Sequence, residues 1–443
     1  MVQGKYLLKV AGCQMSFHDA EVLSGLLSRA GYTETTDPAE ADVIIFQTCC
    51  VRETAERKIY GQINELGRLK RSKPGLIIGM TGCLAQKDKE KVLERCPQVD
   101  FVLGTQRLGD LPEVLAALRE GSGGIVDVDA VDNLEGLPLK RADGVRAYVN
   151  VSYGCNNFCA YCIVPYVRGP ERSRRPEAVL AEVEEAVREG YPEVMLLGQN
   201  VNTYGRDLDG PVSFSWLLRT VDKVDGLVRV RYTTSHPRDF TEDIIRAVKD
   251  TEKVCEHFHL PLQAGSDRTL ARMNRGYTAA QYLKLIEKIR SLIPGASITT
   301  DLIVGFPGET EEDFQATLDM VEKVRFDAAY TFMFSPREGT AAATLPEQVP
   351  AATKRERLSR LNALQERISR EQNETLVGKT VEVLVEGPSK NNPCMLTGRT
   401  RTNKLVHFPG PEDLRGKLAL VHIERASTWT LQGVLADKGK EQA

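Results

Sequence analysis

The chain has 443 residues, a length that suggests two or three domains rather than one. A hydrophobic content of 42% with 27% charged residues reads as globular with ample core, and a net charge of −3 offers no global basic field, so any nucleic-acid surface must be local. No run of about 18 apolar residues offers a membrane span, MVQGKYLLKVAGC lacks the apolar core of a secretory signal, and ten cysteines in a reducing cytoplasm are expected to be buried, catalytic or metal-bound, not paired as disulfides.

The first third repeats one unit. KYLLKVAGC leads into the helical pattern DAEVLSGLLSRAG, ADVIIFQTC into VRETAERKIYGQINELGRLK, and GLIIGMTGC into LAQKDKEKVLERC. An apolar strand, a short loop and an amphipathic helix, repeated, imply a parallel α/β sheet, with this domain set at 4–120. Cys13, Cys49 and Cys83 are 36 and 34 residues apart, yet each directly follows an apolar strand. Strand carboxyl ends of a parallel sheet share one edge. The three thiols are therefore expected to converge on a three-thiolate centre; buried core cysteines are the plainer alternative. Cys50 is expected to point away from its neighbour, and Cys96, Cys255 and Cys394 to be structural or incidental.

GSGGIVDVDAVDNLEGLPLKRADG, rich in Gly and Asp, reads as a linker, set at 121–140. From about Val145 a second βα series begins. Its candidate strands are RAYVNVSYG, EVMLLGQN, LVRVRYTTS, CEHFHLPLQ, ASITTDLIVGF and AAYTFMFS, with amphipathic helices between them. Six units fall short of the eight of a complete barrel, so 141–373 is expected to form a partial (β/α)6 barrel. KRERLSRLNALQERISREQNETL is its last helix. After Gly378 the period changes to two, with Val381, Val383 and Val385 alternating with polar residues. Turn signals follow, and 375–438 is expected to be a small, closed, OB-like β-barrel.

The chemistry concentrates in VSYGCNNFCAYCIVPYVRG, which puts Cys155, Cys159 and Cys162 within eight positions. Thiolates bind zinc or iron–sulfur clusters. Structural zinc usually takes four protein ligands, and no fourth cysteine or histidine stands nearby. A four-iron cluster on three thiolates leaves one iron open, and that iron can bind the amino and carboxylate groups of S-adenosylmethionine (SAM). One electron then cleaves the sulfonium to methionine and a 5′-deoxyadenosyl radical. Gln199, Ser235 and Gln263 stand where barrel strands stop, and Gly305 and Gly308 would let backbone approach a nucleoside. With Tyr161 these are the candidate cofactor contacts, although strand-terminal polar residues also cap loops. His257 and His259 alternate on one strand and are read as packing. Between Leu376 and Ala436 eight Lys/Arg face five acids, a local balance of +3. Arg399, Arg401 and Lys404 cluster on one hairpin, suited to phosphate contacts, and Arg168, Arg172, Arg174 and Arg175 add charge elsewhere.

The spacing C-x3-C-x2-C, with Tyr161 ahead of the last cysteine, resembles the radical-SAM signature. Together with Cys13, Cys49, Cys83 and the terminal barrel, the stretches YGCNNFCAYCIVPYVRGPERSR, LLGQNVNTYG, HLPLQAGSD, MNRGYT and GRTRTNKLVHF make nearly the whole chain resemble the MiaB-type tRNA methylthiotransferase family. The resemblance implies an N-terminal methylthiotransferase domain, a radical-SAM core and a terminal TRAM domain. It implies two 4Fe–4S clusters, the auxiliary one on Cys13, Cys49 and Cys83 and the radical-SAM one on Cys155, Cys159 and Cys162. One SAM would donate a methyl group and a second would be the radical source. The implied product carries a methylthio group at C2 of N6-isopentenyladenosine, at position 37 of tRNA beside the anticodon. Implied partners are the tRNA anticodon stem-loop, an electron-donor protein and a sulfur source that rebuilds the auxiliary cluster, in the cytoplasm. One departure stands out: the family's NTCSIRE reads QTCCVRE here, so Gln47 and Cys50 alter local contacts. The rival readings are a sister enzyme acting on threonylcarbamoyladenosine or on a ribosomal-protein aspartate, and a non-catalytic iron–sulfur RNA-binding protein. The basic last domain disfavours the protein substrate, and formation of 5′-deoxyadenosine separates an enzyme from a binder.

Overall fold

A computed structural model describes residues 4–50, 53–131 and 135–436, the side chains of 53–55 excepted. Residues 51–52 of an expected helix, 132–134 of the expected linker and 437–438 of the expected last domain lie outside the described residues. The chain forms two compact units. One takes residues up to 143 with 148–156 and 162–179, the other 144–147, 157–161 and 180 onward.

The first unit begins with β1 (Gly4–Val10), α1 (Gln14–Arg29), β2 (Tyr32–Glu34), β3 (Val43–Thr48), α2 (Glu53–Ser72), β4 (Ile77–Gly82), α3 (Cys83–Asp88), α4 (Lys91–Arg95), β5 (Phe101–Leu103), α5 (Leu111–Arg119) and β6 (Ile125–Asp127). The strands form one parallel sheet in the order β2-β1-β3-β4-β5-β6. All six residues of β3 are buried, as a strand covered on both faces requires. Leu23, Leu26 and Leu27 of α1 pack with Val114 and Leu115 of α5 on one face. Ile59, Ile63 and Leu66 of α2 pack with Leu84 and Val92 on the other. Two expectations need correction. The helix after Cys83 is broken into α3 and α4, with Lys89 between them in the left-handed region at φ 48°. The linker is partly sheet: β6 pairs in parallel with β5, because Ile125 and Val126 find an open apolar edge there.

The cysteine-rich stretch follows β7 (Arg146–Asn150) and β8 (Ser152–Tyr153) and precedes α6 (Val164–Arg168) and β9 (Arg172–Ser173). β8 and β9 pair antiparallel, closing the loop at its base.

The second unit continues with α7 (Pro176–Arg188), β10 (Glu193–Leu197), α8 (Phe214–Val221), β11 (Arg229–Thr233), α9 (Glu242–Asp250), β12 (His257–His259), α10 (Asp267–Arg272), α11 (Ala279–Leu292), β13 (Ser297–Val304), α12 (Glu311–Val324), β14 (Ala328–Met333) and α13 (Ala351–Glu374). The six strands of the partial barrel are β7 and β10–β14. They lie in two three-stranded sheets, β11-β10-β7 and β12-β13-β14, and Val230 of β11 makes a parallel bridge to Val254, just ahead of β12. α11 and α12 each open on a capping box, at Thr278 with Gln281 and at Thr310 with Asp313. Then come β15 (Thr380–Pro388), β16 (Leu396–Thr400), β17 (Leu405–Phe408), β18 (Leu418–Ala426) and β19 (Thr430–Leu435). They close into the expected small barrel, in the order β15-β16-β17-β19-β18, around Val383, Val385, Phe408, Val421 and Ile423. Among the described residues no helix is long and apolar enough to cross a membrane.

Candidate metal centres

Register sets the first group of thiols. Val10 of β1 lies beside Gln47 of β3, and Gln47 beside Thr81 of β4, so the three strands end level. Cys13 then caps α1, Cys49 follows β3 and Cys83 opens α3. All three leave the same carboxyl edge. Cys50 does not turn away as expected: it is buried and hydrogen-bonded to Cys83. The strand ladder ends at Thr48 opposite Gly82, and beyond it the alternation of side chains no longer holds.

Hydrogen bonding splits these thiols into thiolates and donors. Cys13 is lowered to about 5, first by its hydrogen bond with Cys49, against burial, and then by the charge of Arg168 and the amides of Ser16 and Met15 at the start of α1. Cys83 is lowered to about 7 by its bond with Cys50 and by Arg168, again against burial. Cys50, the donor of that pair, is raised. Among the described residues no three thiol, imidazole or carboxylate side chains already form a closed metal-ligand set. The sulfurs nonetheless fit an iron–sulfur cluster: soft ligands at one sheet edge, of which Cys13 and Cys83 are already inclined to the thiolate state beside a cation.

That cation is Arg168, the last residue of α6. Its Nε donates to Cys83 Sγ at 3.2 Å and its Nη2 to Asp19 Oδ2 at 2.8 Å. Arg168, Asp19 and Cys83 are all buried. Gln47 Nε2 donates to Asp19 Oδ2 at 3.0 Å, and the Thr81 hydroxyl donates to Gln47 Oε1. The sequence shows Arg168 only as added positive charge; its place six residues after Cys162 is the available signal.

In the loop of Cys155, Cys159 and Cys162, Gly154 precedes the first cysteine at φ 72°, where a Cβ would lie 2.0 Å from the Pro170 carbonyl oxygen. The Cys155 amide donates to the Gly169 carbonyl at 3.2 Å. Cys159 accepts from Arg275 Nη1 at 3.3 Å, while Arg275 Nη2 donates to Pro261 O at 2.8 Å and its Nε to the Tyr277 hydroxyl at 3.1 Å. Arg275 lies in MNRGYT, a stretch that was legible although its buried arginine was not singled out. Three thiols with a cation donating to one of them suit a cluster held by three cysteines.

The candidate SAM contacts divide. Tyr161 is half-buried and its hydroxyl accepts from Arg275 Nη1 at 3.4 Å. Gln199 and Ser235 lie two residues beyond β10 and β11. Gln263, at φ 71°, pairs its backbone with β13 through Asp301 and Ile303. Ser235 Oγ and Gln263 Oε1 are buried polar atoms without a hydrogen-bond partner among the described residues. Such orphans fit a polar ligand that would complete them. Gly305 and Gly308 both take positive φ, 70° and 77°, and side chains crowd the Cβ direction of each, Lys354 at Gly305 and Arg272 with Glu347 at Gly308. His257 and His259 are packed as expected, both against the Thr299 hydroxyl.

The basic hairpin also needs correction. Arg401 holds Glu256 with Nε at 2.9 Å and Nη2 at 2.6 Å, and donates to the carbonyls of Glu252 and Val254, both at 2.8 Å. Lys404 pairs with Asp327 at 2.7 Å and Arg399 with Glu386 at 3.2 Å. From the other side Arg229 donates to the Arg399 carbonyl at 2.6 Å, and Arg231 to the carbonyls of Thr400 and Arg401 at 2.7 and 3.0 Å. The hairpin thus docks the terminal barrel at the start of β11, and its cations serve carboxylates instead of phosphates. Replacing Arg399, Arg401 and Lys404 together by Ala is expected to lower stability by about 2–4 kcal/mol, the scale for partly buried charge-assisted pairs. The salt slope of tRNA binding should stay at the wild-type value. Urea unfolding and filter binding across a salt series check this; a shallower slope at unchanged stability would restore the phosphate role.

Three family models match the chain: the Radical SAM superfamily over residues 149–321, Uncharacterized protein family UPF0004 over 5–104, and the TRAM domain over 374–436. The chain is 52% identical over 443 residues to the tRNA-2-methylthio-N(6)-dimethylallyladenosine synthase of Moorella thermoacetica, covering 99% of this chain and 100% of that protein. It is likewise 52% identical over 439 residues to the protein of the same name from Carboxydothermus hydrogenoformans, covering 98% and 100%. In fold it is similar to the radical S-adenosylmethionine methyltransferase TsrM from Kitasatospora setae, with a TM-score of 0.59, 15% identity and coverage of 77% of this chain and 75% of that one.

Proposed function

This chain belongs to the tRNA-2-methylthio-N(6)-dimethylallyladenosine synthase family, and on that premise we propose that it adds a methylthio group to C2 of N6-isopentenyladenosine at position 37 of tRNA. It is a radical-SAM transferase and tRNA is its substrate. The observation that carries the reading is the pair of three-cysteine sets, each with a buried arginine donating to one sulfur.

Cys155, Cys159 and Cys162 would hold the cluster that binds SAM, and Cys13, Cys49 and Cys83 the auxiliary cluster. When bound, the two clusters and SAM would supply what side chains cannot: a donor sulfur to take the place of the C2 hydrogen, a methyl group for that sulfur, and a radical able to abstract a hydrogen that no side-chain base removes. The chain's own part is to bind and orient. Arg275 ties Cys159 to the Pro261 carbonyl and to Tyr277, fixing the loop. Ser235 and Gln263 offer buried polar atoms to the nucleoside and methionyl parts of SAM. Lys379, Lys390 and Arg425, exposed on the terminal barrel, take over the phosphate contacts first expected of the docked hairpin. Each product carries off one sulfur, so a sulfur source and an electron-donor protein complete the cycle, in the cytoplasm where tRNA resides.

Mass analysis of nucleosides from digested tRNA tests the substrate. A deletion strain should accumulate isopentenyladenosine, and the chain supplied in trans should restore its 2-methylthio derivative. Restoration of the 2-methylthio form of threonylcarbamoyladenosine instead would reassign the chain to the sister activity.

A further inference from the structure

Arg168 of the first unit is a buried arginine that donates to a thiol sulfur. Its backbone is pinned, since the Val167 carbonyl accepts from the Thr105 hydroxyl at 2.9 Å and the Arg168 carbonyl from the Gln106 amide at 3.3 Å. Its side chain is buried and divided between a thiol sulfur and a carboxylate. Behind it, Gln47 fixes Asp19 by donating to the same oxygen that Arg168 binds, and Thr81 fixes Gln47. This is more scaffolding than a helix clamp needs. It presents one N–H, with a full positive charge, to the sulfur of Cys83.

We propose that Arg168, oriented by Asp19 and Gln47, is the positioning residue of the auxiliary centre and sets the reduction potential of a cluster bound through Cys83. The proposal rests on the reading that Cys13, Cys49 and Cys83 hold that cluster. Reduction adds negative charge, and a buried cation hydrogen-bonded to a ligating sulfur stabilises the more negative state. Asp19 opposes this in part, so the two residues should act with opposite sign. A residue that only braced α6 against α1 would show no such opposition.

The test uses the full chain with Cys155, Cys159 and Cys162 all replaced by Ala, so that only the auxiliary centre can load. The protein is reconstituted with iron and sulfide and titrated with a reductant under electron paramagnetic resonance. If this background binds no iron, the cluster reading itself fails. If it binds iron, Arg168→Met should lower the reduced-to-oxidised ratio at the unsubstituted midpoint about tenfold, equivalent to about 59 mV for one electron. Arg168→Lys should restore part of that shift, and Asp19→Asn should raise the ratio. Unchanged midpoints in Arg168→Met and Asp19→Asn at full iron content would overturn the proposal. Should Arg168→Met lose its iron, Asp19→Asn decides alone: a raised midpoint supports the proposal, and an unchanged or lowered one overturns it.

Discussion

Replacing Cys159 by Ala is expected to abolish reductive cleavage of SAM to 5′-deoxyadenosine. The loop supplies three thiols and no more, and the next cysteine in sequence, Cys255, is buried elsewhere in the barrel wall. Two thiolates cannot hold a cluster that keeps one iron open. The fold should survive the change, because the segment is tied down by other bonds. The Ala160 amide donates to Met273 O at 2.9 Å, the Asn274 amide to Phe158 O at 3.0 Å, and Arg275 keeps Pro261 and Tyr277. The loss is therefore chemical. Chromatography of 5′-deoxyadenosine after chemical reduction, beside a thermal melt, separates the two cases. Undiminished 5′-deoxyadenosine from a folded Cys159→Ala protein would remove the radical-SAM assignment.

Replacing Glu193 by Ala should strongly destabilise the second unit. Glu193 is fully buried, with one oxygen on Arg146 and the other on Arg231 at 2.7 Å. Removing it leaves Arg231 in the interior without its anion, and breaking such a buried pair costs about 3–5 kcal/mol. Urea unfolding measures this, and a cost below about 1 kcal/mol would contradict it. Replacing Glu193 and Arg231 together by Met should cost less than Glu193→Ala alone, since Arg231 is then not stranded and Arg146 keeps Glu386 at 3.2 Å. The same pair carries a pH dependence. Burial raises the Glu193 carboxyl, but Arg231 and Arg146 outweigh it and hold it below its ordinary 4.5. A depressed folded value means that the stabilisation is complete above 4.5 and is lost as pH falls from there through the folded value. Glu193→Gln should accordingly flatten the acid limb of the stability profile.

What could be read without coordinates was whatever the chain writes locally. Strands that end in cysteine, GLIIGMTGC for one, announce their place by an apolar run and a stop, and the shared edge follows from parallel topology. Val381, Val383 and Val385 announce the terminal barrel by alternation. What could not be read was partnership at long range. Arg401 looks like any surface arginine until Glu256, 145 residues away, is seen to hold it. Arg229 and Arg231 alternate along β11 like solvent-facing residues, yet both are buried. Cys50 was not legible because it lies two residues past Thr48, the last residue of the ladder, where strand alternation no longer sets the direction of a side chain. The linker yielded β6 because pairing with β5 depends on an edge that only the folded sheet creates.

The docking of the hairpin bears on how separable the last domain is. By sequence it is a module, with its own closed sheet and core. By energetics it is not. Arg229 and Arg231 point their guanidinium groups at carbonyls of Arg399, Thr400 and Arg401, and Arg229 also holds Glu382 at 2.8 Å. A chain ended at Glu374 would uncover two interior cations and withdraw the groups that solvate them. The terminal barrel is thus part of the solvent for the core's own charges, and losing it would be felt as a folding defect before any loss of RNA was measured.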